Sequence, residues 1–135
     1  MVPTPPEFLA LEGNYASYRP RGRFTFDETV AMIDQALVFC RDNGIQNLLV
    51  DITGVTGFPP PTTIQRFTFA TKWANTAAGK VTLSMLAPPE MIDPDRIGVT
   101  MANNRGLQSN VFTAEPEAVG WLRRAGGADP GPLIG

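Results

Sequence analysis

Ile45-Gln46-Asn47-Leu48-Leu49-Val50-Asp51-Ile52, followed by Gly54, Gly57 and Pro59-Pro60-Pro61, decides the fold class. The consecutive apolar residues Leu48 to Val50 leave no polar face, the pattern of a strand covered on both sides. Such strands belong to the inside of largely parallel sheets packed with helices. The glycines and prolines that follow make a long, stiff connection from Thr53 to Thr63 instead of a tight hairpin.

Toward the amino terminus, Phe26, Val30, Ile33, Leu37 and Cys40 recur at helical spacing and form one apolar stripe. Thr25-Phe26-Asp27-Glu28 is a capping box: Thr25 accepts from the helix backbone while Glu28 reaches back. Asn43-Gly44 ends that helix. Before it, Phe8 to Leu11 and Tyr15 to Tyr18 read as two short strands around Gly13-Asn14, broken off at Pro20 and Gly22. Toward the carboxyl terminus, a second helix starts at Thr62 or Thr63 and aligns Ile64, Phe67, Ala70, Ala74 and Ala77 until Gly79. Val81 to Leu86 alternates as a strand, and Pro88-Pro89 breaks it. Asp93-Pro94 predicts a third helix, with Asp93 as N-cap and Pro94 in the first helical position, ending at Gly106. Leu107 to Phe112 is the last strand, and Thr113 caps a final helix bearing Ala118, Trp121 and Leu122.

The expectation is an α/β fold: a single mixed, largely parallel sheet of about four to five strands packed with about four helices. One domain over residues 8–124 is expected, with flexible ends at 1–7 and 125–135. At 135 residues the chain is long enough for a hydrophobic core. Its apolar fraction of 43% and charged fraction of 18% are those of a globular protein. A net charge of −2 gives no electrostatic drive toward nucleic acid. The single cysteine forms no internal disulfide and no cysteine-based zinc site. With no histidine, Ser–His–Asp and Cys–His mechanisms and two-His metal sites are excluded. No cofactor is implied, and an enzyme using Asp51 or Glu90 ranks last because neither has a visible second catalytic group. No apolar run is long enough for a transmembrane helix. Met1 to Glu7 lacks a basic region and an apolar signal core, so a cytoplasmic protein is expected.

Leu48-Leu49-Val50-Asp51-Ile52-Thr53-Gly54-Val55-Thr56 resembles the central strand and loop of STAS domains, with the SpoIIAA-like relatives of bacterial anti-sigma factor antagonists nearest. The order of elements is similar over residues 8–123, down to Glu117-Ala118-Val119-Gly120-Trp121-Leu122 near the end. The resemblance implies a regulatory module that docks another protein. It does not carry over the family's phosphorylated serine. Where the family pattern continues into Asp-Ser-Ser-Gly, this chain has Pro59-Pro60-Pro61-Thr62, and proline has no hydroxyl.

The candidate site follows from the resemblance together with position. Loops at the carboxyl ends of buried strands are where α/β sheets place ligands. Thr53, Thr56, Phe58, Thr62 and Thr63 belong to that loop and to the helix start, whose backbone N–H groups favour an anion. Arg66, Phe69 and Trp73 form a further stripe on the second helix, suited to anchoring a partner or a second copy of the chain in a homodimer. Packing in the core is the plainer role for Trp73, with Phe69 partly exposed. The expected partner is therefore a protein docked on the 53–63 loop and the following helix. The alternative is a small lipophilic ligand, carried or sensed, with membrane association, in a cleft lined by Phe67, Phe69 and Trp73. Tyr15, Tyr18, Arg19, Arg21, Arg23 and Phe24 read as a solvated strand edge. If the strands are parallel, Met91 and Ile92 emerge beside the 53–63 loop, where they could line a pocket or touch a lipid surface; a staple with Ile92 preceding the Asp93 cap is preferred, and Cys40 reads as an inert buried thiol.

Overall fold

In a computed structural model describing residues 4–125, the Leu48–Val50 triplet lies at the centre of the sheet. Strand β4 (Asn47–Asp51) pairs in parallel with β2 (Ala16–Tyr18) on one side and β6 (Thr82–Leu86) on the other. Strand β7 (Ser109–Phe112) extends the sheet in parallel beyond β6, and β1 (Leu9–Leu11) closes the opposite edge antiparallel to β2. The order is β1-β2-β4-β6-β7, a five-stranded, mostly parallel sheet. Leu48, Leu49 and Val50 are all 0% exposed, as an uninterrupted apolar run requires.

Helices cover both faces. Leu48, Val50 and Leu83 pack with Ile33, Ala36, Leu37 and Cys40 of α1 (Phe26–Asp42), with Ala70, Trp73, Ala74 and Ala77 of α2 (Thr63–Ala77), and with Ala102 of α3 (Ile97–Asn104). Leu49 points the other way and packs with Ala118 and Leu122 of α4 (Glu115–Ala125). The buried Ser84 hydroxyl, between these layers, donates to the Ala118 carbonyl (3.0 Å) and fixes α4 on its face. Residues beyond 125, including most of the expected carboxyl-terminal tail, lie outside the described residues.

The capping box of α1 forms as read: Thr25 Oγ1 accepts from Glu28 N (3.0 Å) and Glu28 Oε1 from Thr25 N (2.8 Å). Other expectations are corrected. Strand β2 is not an edge: Ser17 and Tyr18 are buried, because β1 takes the outer position. Helix α3 starts at Ile97, not Pro94. Asp93 Oδ2 accepts from the backbone N–H of Asp95 and of Ile97, so its carboxylate closes a turn ahead of the helix. A single 3₁₀ turn, Pro89–Met91, precedes it. Ile64 and Phe67 do not join the core; they are 78% and 44% exposed, and the neighbouring stripe with Trp73 is buried instead.

Strand β3 (Gly22–Arg23) pairs in parallel with β5 (Val55–Thr56) as a separate two-stranded ribbon. Gly22 N donates to Gly54 O and Phe24 N to Thr56 O, extending the pairing at both ends. Gly57, at φ +122°, lies so close to Phe24 that a Cβ there would run into the Phe24 carbonyl oxygen. The first half of the 53–63 connection is thereby tied to the segment leading into α1.

Candidate functional site: an apolar pocket at the carboxyl ends of the strands

Because β4, β6 and β7 run in the same direction, Ile52, Ala87 and Val111 reach one end of the sheet together. The start of α1, the first turns of α2 and α3, and the loops around Phe58 and Met91 surround that end. Between them lies a partly open cavity of about 100 Å³ with an almost wholly apolar lining. An open α/β sheet characteristically binds ligands in this position.

The wall is built from aromatic contacts. Phe69 and Trp73, one helical turn apart on α2, stack with ring centroids 4.6 Å apart and planes at 30°. Phe26 meets Phe69 at 6.2 Å and Phe58 edge-on at 5.7 Å. Trp73 Nε1 donates to the Val30 carbonyl (3.1 Å), which fixes the indole in the wall with its polar atom satisfied. Gly98 of α3 faces Phe69 and Arg66 across the α2–α3 contact. Leu83 and Met85 form the floor, and Met91 and Ile92 line the side toward the 3₁₀ turn.

Of the residues singled out in the sequence, Phe58, Arg66, Phe69 and Trp73 converge on this pocket. The threonines do not. Thr53 is exposed, and both its N–H and its hydroxyl donate to Asp51 Oδ1 (2.9 and 2.6 Å). Thr56 is exposed on β5. Thr62 and Gln65 form a second capping box, with Gln65 N donating to Thr62 Oγ1 and Thr62 N to Gln65 Oε1. Those two donors are thereby used within the helix start. Thr63 is exposed in the first turn of α2. Phe67 points away from the cleft, under the Arg105 guanidinium (4.5 Å to the ring centroid).

Met91 and Ile92 line the pocket, the alternative to the staple preferred from the sequence. Arg96, Asn110 and Val111 join them at the rim and carried no sequence signal. Arg19, read as solvated, bridges instead. Its Nη1 donates to Asp51 Oδ2 (3.2 Å) and Glu115 Oε1 (2.8 Å), and its Nη2 to Glu115 Oε2 (3.0 Å). The Glu115 bond is the main cause holding the Arg19 pKa above its ordinary value. Asp51 thus has both carboxylate oxygens engaged, one by Thr53 and one by Arg19. Cys40 is buried, and desolvation pushes its thiol up to about 12.

Among the described residues, no three His, Cys, Asp or Glu side chains cluster as a metal ion would require. No described helix is long and apolar enough to cross a membrane. No family model matches the sequence, and no curated protein is significantly similar to it.

Proposed function

We propose that this chain is a non-catalytic binding module of STAS-like type that holds a small lipophilic ligand at the carboxyl end of its sheet. The observation that carries the reading is the apolar cavity walled by the Phe69–Trp73 stack. An engineered apolar cavity of about 150 Å³ takes up benzene. A space of about 100 Å³ therefore suits one ring or a short chain, well below the roughly 300–1,000 Å³ of drug-sized sites. The order of strands and helices supports the STAS-like assignment, and the engagement of Asp51 with Thr53 and Arg19 supports a binding role over a catalytic one.

Methionine methyl NMR tests the ligand reading. Met85 and Met91 line the cavity, whereas Met32 does not. Titration with toluene should shift the Met85 and Met91 methyl signals, leave Met32 in place, and raise the unfolding temperature. Uniform shifts, or none, would remove the site.

A second reading is protein docking through the 53–63 loop and α2. It is favoured by Ile64 and Phe67, which are 78% and 44% exposed on the helix following that loop. The partner would be another protein or a second copy of the chain. Sedimentation over a range of concentrations, with Ile64→Lys as the comparison, separates these. A dimer lost in the variant supports self-docking through α2, and a monomer throughout leaves only a different protein.

A further inference from the structure

Two guanidinium groups stand at the rim of the pocket, and among the described residues neither is in an ion pair. Among the described residues the ion pairs engage Arg19 and Arg41. Arg66 and Arg96 are steered by neutral oxygens instead. Arg66 Nη2 donates to the Met91 carbonyl (3.2 Å), and Arg96 Nη1 to Asn110 Oδ1 and the Val111 carbonyl (both 2.8 Å). A guanidinium carries five N–H donors in a fixed fork, so each arginine keeps donors beyond these bonds. The rim also holds one carboxylate, Asp93, but its Oδ2 accepts two backbone N–H groups at the approach to α3. Glu90 and Asp95, in the same segment, are exposed and form no ion pair.

The backbone and neighbouring contacts aim both arginines at the opening, Arg66 half-buried and Arg96 exposed. Arg96 holds the left-handed backbone conformation, φ +51°, at the start of α3, a geometry that disfavours residues with a side chain. From there its side chain crosses back to β7 and stays beside the opening. The Arg66 Cβ lies against Gly98, so its stem is confined between α2 and α3. An apolar interior whose mouth carries two guanidinium groups against one carboxylate, a net positive charge, matches an amphipathic anion: the apolar body enters, and the charge remains with the arginines.

We infer that the ligand carries an anionic group, a carboxylate in its simplest form, bound at the mouth by Arg66 and Arg96 while its ring or short chain lies against Trp73. This inference rests on the ligand-binding reading above. It narrows the class to small aromatic or short-chain carboxylates, because about 100 Å³ leaves no room for a long acyl chain.

Trp73 and Trp121 are the two tryptophans of the chain, and Trp121 packs on Phe112 away from the pocket. In a Trp121→Phe background, indole fluorescence therefore reports the pocket alone. The probes are benzoate, its neutral isostere benzamide, and toluene. Benzoate should bind about tenfold more tightly than benzamide at low salt, an advantage that shrinks as salt screens partly exposed charges. Arg66→Gln and Arg96→Gln should each remove about a threefold share of that advantage. The double variant should bind both probes alike, and continued binding of toluene, which accepts no hydrogen bond from either arginine, together with an unaltered circular dichroism spectrum reports an intact cavity. Equal binding of benzoate and benzamide by the unmutated arginines would overturn the anionic assignment and leave the ligand site standing. Failure of all three probes, toluene included, would remove the site itself.

Discussion

Leu83→Ala separates a cavity wall from an ordinary core position. Leu83 is 1% exposed on β6, between Leu48 of β4 and Ser109 of β7, and forms part of the pocket floor. Leu37, 0% exposed on α1, is packed inside the core away from the pocket. Burial of a leucine side chain contributes about 1.5–3 kcal/mol, and truncation adds a term for the void left behind. At Leu37 both terms apply, for a cost of about 3–5 kcal/mol. Leu83 is equally buried, but the void left by its truncation joins a pocket that is partly open to solvent, so the cavity term is smaller and the expected cost is about 2–3 kcal/mol. Urea unfolding followed by far-UV circular dichroism measures both, provided the slopes agree. The enlarged pocket should also shift preference from benzene-sized to two-ring probes such as naphthalene, read by Trp73 fluorescence. If Leu83→Ala costs as much as Leu37→Ala and gains no affinity for the larger probe, the pocket is not a preformed space.

Three further outcomes follow from particular contacts. Gly57→Ala drives a Cβ into the Phe24 carbonyl at a φ that only glycine tolerates; a loss of about 3 kcal/mol or more is expected by urea unfolding, against about 1 kcal/mol for Gly13→Ser, which meets no neighbour but is strained by its φ of +81°. Arg19→Met should cost about 1 kcal/mol at low salt and less in high salt, because Arg19 and Glu115 are 33% and 44% exposed at their side chains. Cys40 should resist a disulfide reagent at pH 8 until the protein unfolds. Its folded pKa of about 12 exceeds the ordinary value of 9.0, so the thiolate is favoured in the unfolded chain. The associated stability is complete below about pH 9 and is lost as pH rises toward 12, a slope that Cys40→Ala should lack in alkaline urea titrations.

Elements whose cause is local were legible in the sequence. The α1 capping box and the Leu48–Val50 strand each contain their full explanation within a few residues. The β3–β5 ribbon does not: two-residue strands have no periodicity, and each partner is set by where α1 and β4 place it. Helix α2 carries apolar residues on two overlapping stripes. Ile64 with Phe67 and Phe69 with Trp73 look alike in sequence; wedging α2 between α1 and α3 decides that Trp73 turns inward. The site was half legible for the same reason. Phe58, Arg66, Phe69 and Trp73 belong to the loop and helix after the central strand. Met91, Arg96 and Asn110 reach the pocket only through parallel strand pairing. Arg19 appeared solvated because one of its carboxylate partners, Glu115, stands 96 positions away.

That 96-position reach has a consequence for how the protein comes into being. During synthesis the β1–β2 hairpin can close as soon as it emerges, whereas each parallel pairing must wait for a crossover to be translated. The face of β4 and β6 that receives Ala118 and Leu122 stays bare until α4 is made. A nascent chain therefore carries one uncovered side of its sheet until α4 has been made, and arrival of Glu115 at Arg19 comes near the end of that vulnerable interval.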